Sequence, residues 1–263
     1  MAGKFAGKSV VITGSTSGIG LGMARAFAAE GANVLLNGLG EAAEIEATRA
    51  GLEKEFGVRV LYHGADMTKP REIAEMVRAA ESAFGAVDIL VNNAGIQHVA
   101  PVDEFPEEKW DAILAINLSS AFHATKAALP GMKRRKWGRV INVASAHGLI
   151  ASPFKCAYVA AKHGIMGFSK CLALEVAELG ITSNAICPGY VWTPIVEKQV
   201  DDQARVHGIP KEKVVSDIML INQPTRKFVK IEDVARIAIN LADDSAAQIN
   251  GTSISIDGGW TAR

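Results

Sequence analysis

Short apolar runs rich in β-branched residues alternate along this chain with longer segments whose apolar positions recur every three or four residues. The short runs, at 8–13, 32–37, 58–63, 87–92, 139–144, 182–186 and 252–256, are apolar on both faces and predict strands buried from two sides. Helices are predicted over the longer segments, about 18–30, 41–56, 70–84, 106–130, 155–179 and 231–242. Such alternation builds a parallel sheet with helices packed on each side. No linker, repeat or low-complexity tract interrupts it, so residues 1–263 are expected to form one doubly wound α/β domain of about seven strands. The stretch 188–230 breaks the rhythm. It carries Pro188, Pro194, Pro210 and Pro224 and exceeds an ordinary connection, predicting an irregular lid over a substrate.

Composition narrows the class. A hydrophobic fraction of 49% with 25 glycines suits buried strands joined by tight turns. Lys+Arg and Asp+Glu both total 28, so no global basic field invites nucleic acid, and the run 133–136 reads as a solvated helix end. Cys156, Cys171 and Cys187 are odd in number and match no metal-ligand spacing, which predicts reduced thiols and no metal site. No apolar run reaches about 18 residues, and the start Met1-Ala2-Gly3-Lys4-Phe5 lacks a signal-peptide core. A cytoplasmic protein without a membrane partner is expected.

The first strand runs into Thr13-Gly14-Ser15-Thr16-Ser17-Gly18-Ile19-Gly20, and a helix follows. Glycines at this spacing let the backbone approach a pyrophosphate, and free N–H groups at the helix start attract its charge. The plain alternative is a glycine-rich turn with no ligand. Cofactor preference is expected at the end of the second strand, where Gly38 stands in place of a carboxylate and no arginine follows. With no base at Ser17 either, nothing neutralises a 2′-phosphate, and NAD is favoured. Asp66, after the third strand, is either an adenine contact or an acid at a helix start.

Tyr158 and Lys162 lie one helical turn apart, and Ser145 precedes them by thirteen residues. An ammonium close to a phenol lowers the phenol's pKa, giving a proton acceptor for an alcohol or a donor to a ketone. Four further polar residues, Gln97, His147, Lys155 and Gln199, fall near this group in the sequence order. A lysine, a histidine and two amides suit a small carboxylate. Read one at a time, three are solvated residues and His147 a satisfied loop histidine.

The glycine loop, Asn92-Asn93-Ala94-Gly95, Asn117, Ser145, Tyr158-x-x-x-Lys162 and Pro188-Gly189 together resemble the short-chain dehydrogenase/reductase family over essentially the whole chain. The resemblance implies a Rossmann-type fold, a nicotinamide cofactor and carbonyl/alcohol chemistry. It implies that Tyr158 is the acid/base and that Lys162 lowers its pKa and holds the nicotinamide ribose. Ser145 would orient the substrate oxygen and Asn117 support a proton-relay water. Cofactor contacts are implied at the loop and at Asp66, Met67, Asn93, Ala94, Gly95, Pro188, Gly189, Val191 and Thr193 as well. The helix at 155–179 and its predecessor are implied to pack between subunits of a homotetramer.

Within the family, the stretches at 92–98, 144–149, 196–199, 36–38 and 257–263 are similar to those of a bacterial branch that oxidises a four-carbon 3-hydroxy acid to the keto acid with NAD. That likeness implies that Gln97, His147, Lys155 and Gln199 hold the carboxylate. Where the branch reads Trp-Val-Arg, this chain reads Tyr190-Val191-Trp192, implying an aromatic wall beside the substrate methyl without a neighbouring positive charge. Two rivals are a 3-oxoacyl thioester reductase, which would need NADPH, and a non-catalytic nucleotide sensor.

Overall fold

A computed structural model describes residues 3–262. Met1, Ala2 and Arg263, which entered the leader and C-terminal readings, lie outside the described residues. Seven strands are described: β1 (Ser9–Ile12), β2 (Asn33–Asn37), β3 (Val60–His63), β4 (Ile89–Asn92), β5 (Gly138–Val143), β6 (Ile181–Pro188) and β7 (Ser253–Ile256). They form one parallel sheet in the order β3-β2-β1-β4-β5-β6-β7.

Successive side chains of a strand serve opposite cores, which explains the unbroken apolar runs. Val10 and Ile12 pack with Met23 and Phe27 of α1 (Gly18–Ala29) and Val234 of α9 (Ile231–Ala242). Val11, between them, packs with Ile73 and Val77 of α3 (Pro70–Phe84) and Ala124 of α5 (Ser120–Arg135). The remaining helices are α2 (Ala42–Phe56), α4 (Glu107–Leu114), α6 (Cys156–Val176), α7 (Pro194–His207) and the single turn α8 (Lys211–Lys213).

Two segments differ from expectation. The helix anticipated over 106–130 is two helices, α4 and α5, joined by a π-helical turn at Ala115–Ser119. It also runs through Pro130 to Arg135, because Ala128 and Met132 on either side are fully buried against the sheet. The stretch 188–230 is not irregular. Pro194 sits at the first position of α7, where its missing N–H costs nothing, and Pro210 immediately precedes α8. Thr193 Oγ1 accepts from the Val196 amide at 3.4 Å to start α7, and Gly208 ends it. The base of this excursion is pinned: Val191 bridges Val229, the Val229 amide donates to the Tyr190 carbonyl at 2.9 Å, and the buried Gln223 accepts from the Tyr190 amide.

Candidate active site

The sheet order reverses between β1 and β4, leaving a crevice at the carboxyl ends of the central strands. A cavity of about 400 Å³ lies there. Of the glycine loop, Gly14, Thr16, Ser17, Gly18 and Ile19 line it. Thr13, Ser15 and Gly20 lie behind that wall. Their atoms hold the loop. Thr13 Oγ1 accepts from the Asn93 and Ala94 amides, both at 3.0 Å, and Ser15 Oγ donates to the Ile12 carbonyl and accepts from the Asn37 amide. A Cβ on Gly20 would collide with the Gly14 carbonyl oxygen and come within 2.6 Å of Asn93 Nδ2. Gly18 opens α1 at φ 56°, a left-handed value that glycine tolerates. Ser17 gives α1 no side-chain cap, so the first-turn amides remain free beside the cavity.

At the adenosine end the wall is Gly38, Leu39, Ala65, Asp66 and Met67, with one acid and no base. A side chain at position 38 would strike Thr16 Oγ1, so the absence of a carboxylate there is enforced by Thr16. Asp66 precedes α3 by four residues. It lines the cavity, and its Oδ1 accepts from the Thr68 amide and hydroxyl at 2.9 and 2.8 Å in the turn before α3. Asn93, Ala94, Gly95, Pro188, Gly189, Val191 and Thr193 all line the cavity.

Ser145, Tyr158 and Lys162 converge on the middle of the cavity. Ser145 follows β5, and its Oγ accepts from the His147 amide at 3.1 Å, leaving its proton for another acceptor. Tyr158 and Lys162 share one face of α6, with Lys162 Nζ 5.5 Å from the phenol ring centre. The expected drop in the phenol's pKa is not found in this ligand-free protein. Burial pushes Tyr158 up to about 12, a hydrogen bond with Ser145 pulling the other way. Lys162 donates to the Val143 carbonyl at 2.7 Å, and burial lowers its own pKa to about 8. Asn117 does not line the cavity. It sits in the π-helical turn, accepting from the Ile96 amide at 2.9 Å and donating to the Ile96 carbonyl at 3.0 Å. These two bonds hold the loop that carries Gly95 to Gln97 and use one of the amide's two N–H donors and one lone pair of its oxygen.

Gln97, His147, Lys155, Tyr190 and Gln199 meet at the other end of the same cavity. All but the half-buried Gln97 are buried. Lys155 is 3% exposed and has no carboxylate partner among the described residues; its Nζ donates to Tyr190 Oη at 2.8 Å. Burial alone lowers its pKa to about 7. His147 is driven to about 3, by burial and then by Lys155, so its ring is neutral; Nε2 pairs with Ser152 Oγ at 2.8 Å. The Oε1 atoms of Gln97 and Gln199 are buried and unpartnered. Gln199 Nε2 donates to the Ile195 carbonyl at 3.2 Å, which holds this amide against its own helix.

Tyr190 lines the cavity as an aromatic wall. Its ring stacks on Trp260, centres 5.4 Å apart and planes 12° from parallel, while its hydroxyl belongs to Lys155. Trp192 is 44% exposed, packs edge-on against Phe228 and does not line the cavity. Sequence reasoning missed Trp260 and Ser152. Trp260, a buried aromatic after two glycines, closes the cavity between Tyr190 and His147.

The short chain dehydrogenase model matches residues 8–204. D-beta-hydroxybutyrate dehydrogenases of Rhizobium meliloti (strain 1021) and Cupriavidus necator are 59% and 56% identical to this chain, over 97% and 98% of it and 99% of each of them. A point variant of actinorhodin polyketide ketoreductase, solved with NADPH, superposes at a TM-score of 0.92 with 33% identity, covering 100% of both chains. With its motifs in order around one crevice, the chain belongs to the short chain dehydrogenase family.

Proposed function

We infer that this protein oxidises (R)-3-hydroxybutyrate to acetoacetate with NAD and catalyses the reverse reduction. One observation carries the substrate assignment: Lys155 is a buried cation without a counter-charge, in the same cavity as Ser145 and Tyr158. An isolated buried ammonium is costly, and a ligand carboxylate removes that cost. The acid must be small, because Tyr190, Trp260 and His147 close the far wall.

The cavity fits the cofactor. Uncapped first-turn amides of α1 suit a pyrophosphate, and the acidic, base-free wall around Asp66 suits unphosphorylated ribose. The chemistry NAD supplies when bound is hydride acceptance from, or return to, C3 of the substrate. Thr16, Ser17, Gly18, Ile19, Asp66, Met67, Asn93, Ala94, Gly95 and Lys162 would hold it, with Pro188, Gly189, Val191 and Thr193 closing over it. Lys155, neutral His147, Gln97 and a rotated Gln199 fix the carboxylate. That places the C3 oxygen between Ser145, which donates to it, and Tyr158, which takes the hydroxyl proton in oxidation and returns it in reduction. With its phenol near 12, Tyr158 is protonated at neutral pH and ready for the reductive direction. Positive charge on Lys162, on the same helix face, steadies the phenolate formed in the oxidative one.

The segment 188–230 serves as a lid through α7, which brings Gln199 over the cavity. The α5–α6 face is the proposed contact between copies in a homotetramer: Phe122 is 47% exposed there, on a groove that Leu129 and Phe168 also line. Sedimentation velocity tests this, and a monomer would reject it. Three unpaired thiols favour a reducing compartment, and we place the protein in the cytoplasm. Among the described residues no helix is long and apolar enough to cross a membrane.

The deciding experiment measures NAD and NADP reduction with (R)-3-hydroxybutyrate, its (S) enantiomer and a 3-hydroxyacyl thioester. Turnover of the free (R)-acid with NAD supports the assignment. Preference for the thioester and NADP would transfer the protein to the ketoacyl reductases.

A further inference from the structure

Three of the residues around the buried cation stand on separate segments: Gln97 after β4, Lys155 before α6 and Gln199 on α7. Just outside the cavity these same segments are tied together. Arg205 of α7 donates to the Val99 carbonyl at 3.4 Å, two residues past Gln97, while pairing with Asp202 at 3.3 Å. His207, the last residue of α7, meets the ring of Phe154 edge-on, with centres 5.2 Å apart at 85°. Phe154 immediately precedes Lys155, and its carbonyl accepts from the Ala100 amide at 3.0 Å. Val99, Ala100, Phe154, Arg205 and His207 all lie outside the cavity wall.

Phe154 has φ 66°, a left-handed value that a bulky side chain rarely adopts. Lys136 shares that conformation where it ends α5, an ordinary place for it. Phe154 ends no helix. A strained backbone persists only where its surroundings over-determine it, and such positions cluster at functional sites. Here the left-handed turn presents the phenyl ring to α7 while the next side chain, Lys155, is buried against Tyr190. Glycine would take this backbone more easily, so what phenylalanine adds is the ring.

We propose that Phe154, His207 and Arg205 form a latch through which the seating of α7 positions Lys155 and Gln97, so that the carboxylate site assembles as one unit. The proposal rests on the substrate reading above. Gln199 near the start of α7 and His207 at its end belong to one helix and move together. Phe154 and His207 touch no substrate and act as positioning residues. Burial and the charge of Lys155 hold His207 below its ordinary pKa, which keeps its ring neutral against the phenyl.

The test compares Phe154→Gly, His207→Ala and the double variant. Phe154→Gly relieves the backbone and removes only the ring. In each single variant KM for hydroxybutyrate should rise about fivefold or more, with kcat and KM for NAD within about twofold of wild type. The double variant should be no worse than the weaker single, since both act through one contact. Phe154→Tyr, which keeps the ring edge, should restore KM. An unchanged KM in Phe154→Gly, or additive effects in the double, overturns the latch. A substrate-free readout is hydrogen exchange at the Ala100 amide, which should speed up in His207→Ala; unchanged exchange also overturns it. If wild type fails to oxidise hydroxybutyrate, the substrate assignment falls, and the exchange result still decides the latch.

Discussion

At the nucleotide end of the cavity the polar side chains are spent on the protein itself. Asn37 accepts from the Gly14 amide at 3.1 Å and donates to the His63 and Ala65 carbonyls, both at 3.0 Å; Thr13, Ser15 and Asn93 bond within the loop. What remains for a ligand there is mostly backbone, with the Thr16 and Ser17 hydroxyls and the Asp66 carboxylate at its edge. At the substrate end the side chains are held in reserve: an ammonium with no carboxylate, two buried amide oxygens without donors and a neutral histidine. A nucleotide common to many proteins is met mostly by rigid peptide groups, which need little choice of side chain. A small acid particular to one reaction is met by groups left costly until it arrives. Stored desolvation at one end and a satisfied framework at the other divide affinity from selectivity.

Four variants or conditions probe that division, from the largest effect to the smallest. Tyr158→Phe should lower kcat about 10²- to 10⁴-fold while NAD still binds, as read by fluorescence titration. Retained turnover would remove Tyr158 from the chemistry. Lys155→Met replaces the unpaired cation with a neutral side chain of similar length. It should raise KM for hydroxybutyrate about 10- to 100-fold, the worth of a charged hydrogen bond, and leave KM for NAD near wild type. Equal rises in both would erase the contrast between the two ends.

The third probe is pH. Lys155 titrates near 7 in the ligand-free protein, charged below and neutral above. A carboxylate prefers the charged form, so KM for hydroxybutyrate should be flat below pH 7 and rise above it, by up to about tenfold per pH unit. Lys155→Arg keeps its charge and should abolish that slope. Oxidative kcat also rises with pH, as the Tyr158 phenolate becomes populated, so the two effects oppose each other in kcat/KM. Last, Trp192→Ala should change KM for either ligand by less than about twofold, since Trp192 packs on Phe228 outside the cavity.

Much of the framework was readable from pattern. Strands with apolar residues on both faces announce themselves because each face has its own core, and Tyr158 and Lys162 share a face at any helical register. The glycine spacing was readable too, although the bonds by which Thr13 and Ser15 hold the loop were not. Other features depend on neighbours far away in the chain. Prolines 194 and 210 looked like breakers and are helix starters, a distinction settled by which residue precedes the first turn. The Tyr158 phenol moves up rather than down because it is buried, and burial outweighs its hydrogen bond with Ser145. Trp260 reaches the cavity only because β7 lies beside β6, which brings the C-terminal turn against Tyr190. The Gln199 amide is held by the Ile195 carbonyl of its own helix, a contact that residue identity alone does not reveal.

The π-helical turn at Ala115–Ser119 carries a consequence for chain length. Such a turn is an α-helix holding one residue too many, and the surplus rotates everything after it by roughly 100°. Asn117 reaches Ile96 from inside that turn. Substitutions leave the surplus in place, so the turn can drift in composition and keep its shape. Deleting any one residue there would mend the helix and swing Asn117 away from Ile96. In this stretch the count of residues is under tighter constraint than their identity.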